Sequence, residues 1–408
     1  MDLAVLERLV AGEGWGLLES LPPYDESSAL RLAERLRGAG FDADLVAGAL
    51  TQSRLRARGR DKFGEFAAGM LFTDDGLEQA TRLEVAARHA ERFRRAGVRQ
   101  VFDLGCGIGS DAMACAGLDL RVTAVDADPA AALVAGVNLR HWPSAATLVR
   151  RAEDVRLPAG EGARHAGAWL DPARRVTGVA DATGRTKRVF RLDAISPSWT
   201  TVQQVAASLP AVGAKLCPSL PHGRVPAGTE AEWTSYRGEV LECVVWWGGL
   251  VRRPGRRALV IGSDGKASSV TEADASSAPP PLADLGRVDH LLYEPDRAVI
   301  RAGLTGALCT AVDGAELDAG VGYVSSGRAV ELPWARRFVV EEAMPWGIKR
   351  LRAYLRDRGV GRLTVKKRGV TVDADQLRRQ LHLRGDVEAT VVITRVAGRQ
   401  VALVVRPT

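Results

Sequence analysis

The stretch Val101-Phe102-Asp103-Leu104-Gly105-Cys106-Gly107-Ile108-Gly109-Ser110 constrains the fold of this chain more than any other. An apolar strand ends in Asp103-Leu104 and runs at once into a turn in which every second residue lacks a side chain. Such a turn lets the backbone approach a ligand closely, and it opens a helix whose first N–H groups point outward. A second apolar strand, 120–125, ends at Asp126. Strand, glycine turn, helix, strand and acid is the order of a doubly wound parallel sheet, in which the second acid grips ribose hydroxyls. The glycine spacing then separates one nucleoside from another. A dinucleotide turn takes G-x-G-x-x-G, whereas here the third glycine comes early, at Gly109, and Ser110 holds the last position. A carboxylate at Asp103 would also repel pyrophosphate.

Asp103-Leu104-Gly105-Cys106-Gly107-Ile108-Gly109 resembles the first motif of class I S-adenosylmethionine (SAM) methyltransferases, acidic-x-G-x-G-x-G, at every fixed position. The fold expected from that resemblance is α/β, with a Rossmann-like class I methyltransferase sheet. SAM is the implied cofactor; it carries no phosphate, and its sulfonium suits an acid at the strand end. The resemblance implies donor-binding roles for Asp103, Gly105, Gly107 and Gly109, and for Asp126 at the ribose. It also implies that Glu153 or Asp154, where a third strand should end, meets the adenine amino group; the sequence does not choose between them. Against this stands a glycine-rich βα turn that binds nothing, or binds a dinucleotide.

The fourth strand, Ala166–Leu170, leads into Asp171-Pro172-Ala173-Arg174. Base N-methyltransferases carry [D/N]-P-P-[Y/F] at that place, with the polar oxygen accepting from the target amine and the ring stacking on the base. Asp171 and Pro172 fit and are the candidate catalytic pair; Ala173 and Arg174 depart from the pattern. Trp199, in the next loop, is a candidate stacking ring, since base–aromatic stacking is worth about 1–3 kcal/mol. An alternative lies at the fifth strand, where Cys217-Pro218 is similar to the Cys-Asn-Pro of uracil-C5 RNA methyltransferases, whose thiolate attacks the ring. The Asn is missing, and a small buried hydrophobe is the favoured reading of Cys217. Lys215 and His222 flank that segment as acceptor-loop or surface residues. No Cys-x-x-Cys or His-x-x-x-His pair signals a metal, and neither a G-x-S-x-G elbow nor a P-loop is present.

A chain of 408 residues is too long for one core. Apolar residues at helical spacing mark 3–9, 28–39, 43–58 and 76–96. The expected organisation is a helical domain over 1–95, a SAM-binding domain over 96–265, a linker and connecting segment over 266–332, and a small α+β domain over 333–408. Across the start of that segment, 263–282 reads as flexible linker, rich in Ser, Ala, Pro and Asp. Five cysteines without pairing logic, no apolar run of membrane length and no leader pattern point to a cytoplasmic protein without a membrane partner.

The net charge of +7 is unevenly spread. Residues 333–408 hold 17 Lys/Arg against 7 Asp/Glu, a surplus of ten; the remainder holds 39 against 42, a deficit of three. A local surplus of this kind is the electrostatic footprint of a polyanion partner. The tail reads as helix, strand, basic loop Lys366-Lys367-Arg368, helix and hairpin. That order resembles the THUMP-like domain joined to some bacterial SAM methyltransferases, which implies RNA as partner and phosphate contacts at Lys366, Lys367 and Arg368. Arg54, Arg56, Arg58, Arg60 and Lys62 would extend that surface or line a solvated helix. The function so implied is methylation of a base in structured RNA, with N-methylation ahead of C5-methylation. A small-molecule or protein methyltransferase, and an RNA-binding protein that senses SAM without turnover, are the alternatives.

Overall fold

The computed structural model describes residues 2–174, 192–275 and 278–408, which divide into two units: Met1–Leu216 with Val245–Arg252, and Cys217–Val244 with Arg253–Thr408. The first unit opens with six helices: α1 (Leu3–Val10), α2 (Gly12–Ser20), α3 (Ala29–Gly38), α4 (Ala43–Phe63), α5 (Asp74–Gln79) and α6 (Leu83–Arg95). Asp42 caps α4 by accepting from the N–H groups of Asp44 and Leu45 at 3.0 and 3.1 Å, an acid at the positive end of the helix dipole. The periodicity over 76–96 predicts one helix, and the structure breaks it between α5 and α6. Lys62 Nζ donates to the carbonyl oxygens of Leu77, Glu78 and Ala80 at 2.9, 2.6 and 2.8 Å. Those are acceptors that a continuing helix would have used.

Five parallel strands follow: β1 (Gln100–Leu104), β2 (Arg121–Asp126), β3 (Ala145–Val149), β4 (Ala166–Leu170) and, after a two-residue ladder of β5 (Ala173–Arg174) with β6 (Ile195–Ser196), β7 (Ala211–Leu216). They lie in the order β3-β2-β1-β4-β7. The order reverses between β1 and β4, so the carboxyl ends of those two strands flank the crevice where α/β sheets bind ligands. Helices α7 (Ser110–Ala116), α8 (Pro129–Leu139) and α9 (Trp199–Ser208) connect them. Proline opens α8 at a position that needs no N–H donor, and Asp128 caps it.

One sheet face buries Phe102, Leu104, Val125, Ala168, Leu170, Val202 and Val212. Trp169 and Trp246 are likewise fully buried, with ring centroids 5.6 Å apart. Both rings press on Gly213, where an added Cβ would sit 2.6 Å from Trp246 and 2.9 Å from Trp169. Gly213→Ala is therefore expected to destabilise the protein by about 1–3 kcal/mol, the usual cost of overpacking. A urea midpoint that does not move would show that the rings can yield.

The second unit contains β8 (Glu230–Tyr236), the first part of β9 (Glu239–Gly248), β10 (Gly255–Ile261) and β11 (Ala267–Thr271). Strand β11 corrects the linker expected over 263–282: it pairs antiparallel with β10 across a turn in which Asp264 Oδ1 accepts from Lys266 N. Its serines keep some exposure to solvent, and Val270 is buried. Further on, residues 289–330, whose composition is that of a folded segment, are structured. They supply β12 (Leu291–Pro295), α10 (Arg297–Arg301), α11 (Thr305–Val312), β13 (Ala315–Glu316) and β14 (Val324–Ser326).

The basic tail then forms β15 (Ala335–Pro345), α12 (Ile348–Asp357), β16 (Val360–Lys367), α13 (Ala374–Leu381), β17 (Val387–Val396) and β18 (Arg399–Pro407). A single sheet runs β13-β14-β12-β15-β18-β17-β16. Strand β15, which the sequence reading passes over, pairs with both β12 and β18 and so welds the connecting segment to the tail. No helix among the described residues is long and apolar enough to cross a membrane.

Candidate active site

Asp103, the penultimate residue of β1, is 2% exposed, and neither of its carboxylate oxygens has a hydrogen-bond partner among the described residues. Burial, then the charges of Asp111, Asp171 and Asp126, lift its pKa well above the ordinary carboxylate range; Lys215 opposes them. A buried carboxyl with no donor is costly unless something cationic reaches it. The turn beyond it supplies the space. Gly105, Gly107 and Gly109 all have positive φ, at 88°, 54° and 82°, a conformation that L side chains rarely adopt. A Cβ on Gly105 would lie 3.2 Å from the Asp171 carbonyl oxygen, so the ends of β1 and β4 nearly touch there.

Asp126 closes the other side of the turn. Its Oδ2 accepts from Gly107 N at 2.9 Å and its Oδ1 from Asp128 N at 2.9 Å. Burial still raises its pKa above the usual value, against the pull of those two donors. Glu153 and Asp154 lie in a short 3-10 turn after β3, both exposed. The chain enters that turn beside Asp126, whose carbonyl accepts from Arg150 N at 2.9 Å. Glu153 stands 3.6 Å from Arg151.

Asp171 follows β4 directly, and its Oδ2 meets Lys215 Nζ at 2.5 Å. Lys215, on β7, also donates to Thr81 Oγ1 at 3.1 Å and the Gln79 carbonyl at 3.4 Å. Sequence reasoning singled out Asp171, left Lys215 as an acceptor-loop or surface residue, and passed over three further residues. Thr81 bonds Asp111 as well, and Asp111 lies 2.8 Å from His89 Nδ1. Burial pushes Asp111 up, but the His89 hydrogen bond and charge, with Lys215 and Thr81, outweigh it and hold the carboxylate low. His89 stacks on Trp169 at 4.3 Å. The signal for Asp111 was its place one residue after Ser110; nothing local marks Thr81 or His89. Together these residues set four carboxylates and one lysine at or beside the carboxyl ends of β1, β2 and β4, a place that suits a cationic ligand.

Pro172 is buried, and Ala173 begins the short ladder with β6. Trp199 is the first residue of α9; its ring leans on Trp247 at 6.0 Å and packs on the sheet core. Cys217 is half-exposed, not the buried hydrophobe favoured from sequence, and its Sγ lies 3.0 Å from Ser219 Oγ.

The basic trio of the tail also differs from expectation. Lys366 and Lys367 lie within β16 and not in a loop. Lys366 Nζ and Arg368 Nη2 both reach the half-buried Glu294, at 2.6 and 3.2 Å. Lys367 Nζ donates to the Val372 carbonyl. A carboxylate thus already answers two of the three charges expected to meet phosphate.

A family model described as THUMP domain-like matches residues 335–407, and another, described as a domain of unknown function, matches residues 2–59. Two uncharacterized S-adenosylmethionine-dependent methyltransferases of Mycobacterium tuberculosis, from strains CDC 1551 and H37Rv, are each 33% identical to the chain over 350 residues. The match covers 84% of this chain and 90% of theirs. The crystal structure of a candidate methyltransferase from Porphyromonas gingivalis W83 superposes with a TM-score of 0.70 at 18% identity, covering 95% of this chain and 100% of the other. At that identity the likeness is one of fold.

Proposed function

The chain belongs to the S-adenosylmethionine-dependent methyltransferases, and from that premise we propose that it methylates a nitrogen of a base in structured RNA, with Asp171 orienting the acceptor. The residues around the glycine turn fit the donor. Asp103 carries two buried oxygens, without a hydrogen-bond partner among the described residues, suited to its positive charge, and the positive-φ glycines leave their backbone open to it. On this reading Asp103, Gly105, Gly107 and Gly109 hold the amino acid end, Asp126 the ribose hydroxyls, and Glu153 or Asp154 the adenine. When bound, S-adenosylmethionine supplies a methyl group on a sulfonium, already activated for displacement.

What remains for the protein is mainly positioning, a large effect in itself. The observation that carries the proposal is the Asp171 carboxylate, 30% exposed beside the glycine turn and held by Lys215 at 2.5 Å. That anchor fixes its direction. The carboxylate accepts a hydrogen bond from the acceptor's N–H and so aims the nitrogen lone pair across the crevice. Pro172 stiffens the backbone just behind it. RNA as the acceptor is supported by the surplus of ten positive charges in 333–408 and by the THUMP domain-like match there.

The test is incubation of the purified protein with methyl-labelled S-adenosylmethionine and total bacterial RNA, followed by nucleoside mapping. A labelled N-methyl base is expected. Label only in small molecules or protein, or RNA binding without any transfer, would displace the proposal. Nitrogen as the target also predicts that Cys217→Ser keeps full activity, because a displacement at nitrogen needs no enzyme nucleophile. Loss of transfer in that variant, with the fold intact by circular dichroism, would point instead to the covalent C5 route.

A further inference from the structure

We propose that the RNA-gripping surface of the tail is the exposed face shared by α12 and α13, built from Lys349, Arg352, Arg356, Arg379 and Arg384, rather than the Lys366-Lys367-Arg368 segment. The inference rests on the reading of RNA as substrate and places its grip. Helix α12 buries Leu351 and Leu355, one turn apart. At 100° per residue, Lys349, Arg352 and Arg356 fall together on one flank of that stripe, while Arg350 and Asp357 fall on the other. The flank borders the end of α13. Arg352 donates to the Gln380 carbonyl, and Arg356 Nη2 to the His382 carbonyl at 3.1 Å. Arg379 is exposed in the last turn of α13, and Arg384 follows two residues after the left-handed cap His382.

What sets these five apart is that they lie together without counter-charge. Of the other cations of the tail, Arg362 is answered by Glu388, Lys366 and Arg368 by Glu294, Arg378 by Asp375, Arg395 by Asp318 and Arg406 by Glu341. Arg336, Arg350, Lys367 and Arg399, which also have no carboxylate within ion-pair distance among the described residues, lie off this flank on β15, the far side of α12, β16 and β18. None of Lys349, Arg352, Arg356, Arg379 or Arg384 has a carboxylate within ion-pair distance among the described residues. Arg352 and Arg356 are oriented by neutral carbonyls, which direct a guanidinium without cancelling its charge. The nearby acids are engaged at helix caps or ion pairs, and Asp373 feels the charge of one of the five, Arg379, beyond ion-pair distance. Asp357 pairs with Arg358, and Asp373 and Asp375 occupy the first turn of α13, where they meet Gln376 N and Arg378. Asp386 alone follows Arg384, on the way to β17. Uncancelled cations at fixed positions on two packed helices match a run of phosphates. A lipid headgroup layer offers the same charge, and it serves as the contrast in the test.

Among the described residues, the side chains of Lys349, Arg379 and Arg384 form no hydrogen bond within the fold, so changing all three to Gln leaves the packing alone. The full-length triple variant is compared with wild type by fluorescence anisotropy on end-labelled bulk tRNA over a salt series. Each phosphate that the variant no longer neutralises should lower the slope of log affinity against log salt by about one, so three substitutions should lower it by about three. Near 0.1 M salt, binding should weaken by about tenfold or more. Lys367→Gln, which removes a single cation on β16 away from the α12–α13 flank, should change affinity by less than about twofold.

An unchanged slope in the triple variant, or a larger effect in Lys367→Gln, would overturn the assignment. So would capture by anionic phosphatidylglycerol vesicles that bulk tRNA does not compete away. Methyl transfer to RNA, measured alongside, separates the two levels. Label in RNA with an unchanged slope rejects this face and keeps the substrate; wild type that neither binds nor labels RNA rejects both.

Discussion

Asp171→Ala is expected to lower methyl transfer by about 10²–10⁴-fold, the range for losing a positioned acid–base group, while the enzyme still binds its donor. The variant removes the carboxylate proposed to aim the acceptor but leaves the glycine turn and the Asp103 side chain in place. Lys215 stays in place, because Thr81 Oγ1 and the Gln79 carbonyl still hold its ammonium. The donor's dissociation constant should therefore change by less than about fivefold, or ~1 kcal/mol. Calorimetric titration with the demethylated donor and a single-turnover transfer assay give the two numbers. Transfer at the wild-type rate would remove Asp171 from the mechanism. Equal loss of transfer and of donor binding would make it a residue of the donor pocket.

Asp103→Leu should do the opposite to stability and to binding. The wild-type carboxyl is buried without a partner, an arrangement that costs about 1–3 kcal/mol and more when charged. An apolar side chain of similar size relieves that cost, and for a unit of this size each kcal/mol raises Tm by about 2–4 °C. The gain carries a pH signature. Because burial raises the Asp103 pKa in the folded protein, the folded state keeps its proton where the unfolded chain has lost it. Stability from this group is full below the ordinary value of 3.8 and drains away as pH rises toward the folded value. The variant lacks that loss, so its Tm advantage should be larger near pH 8 than near pH 5. Donor affinity should fall by about 10- to 150-fold, the ~1.5–3 kcal/mol typical of a hydrogen bond to a charged group. A variant that melts lower than wild type at both pH values would show that Asp103 is structurally supported after all.

The glycine turn and its two acids were legible because their information is local. Three glycines at every second position have few uses other than a run of positive φ, and an acid that ends an apolar parallel strand sits at the carboxyl end of the sheet, where such sheets bind ligands. The Asp171–Lys215 pair was half legible. Each residue ends a recognisable strand, but that β4 and β7 are neighbours is a property of strand order. Thr81 and His89 carried no mark, since one lies in a helix break made by Lys62 and the other inside an ordinary amphipathic helix. The reading failed at 263–282 and over β15 for a related reason. A strand rich in Ser and Ala, or one whose apolar run is flanked by charged pairs, is held by its partners more than by its own propensity.

By itself, then, the order of residues determined the class of sheet, the positive-φ glycine turn and the sign of the charge in the tail, since backbone conformation, strand ends and net charge are written in short stretches. Only the tertiary structure decided which charges remain unanswered. It tied Lys366 and Arg368 to Glu294, more than seventy residues away in sequence, and left Lys349 and Arg356 exposed, with Arg352 half-buried between them, on one flank of a helix. Coulomb attraction acts through distance in space, so whether a lysine is neutralised or available depends on what folding brings beside it.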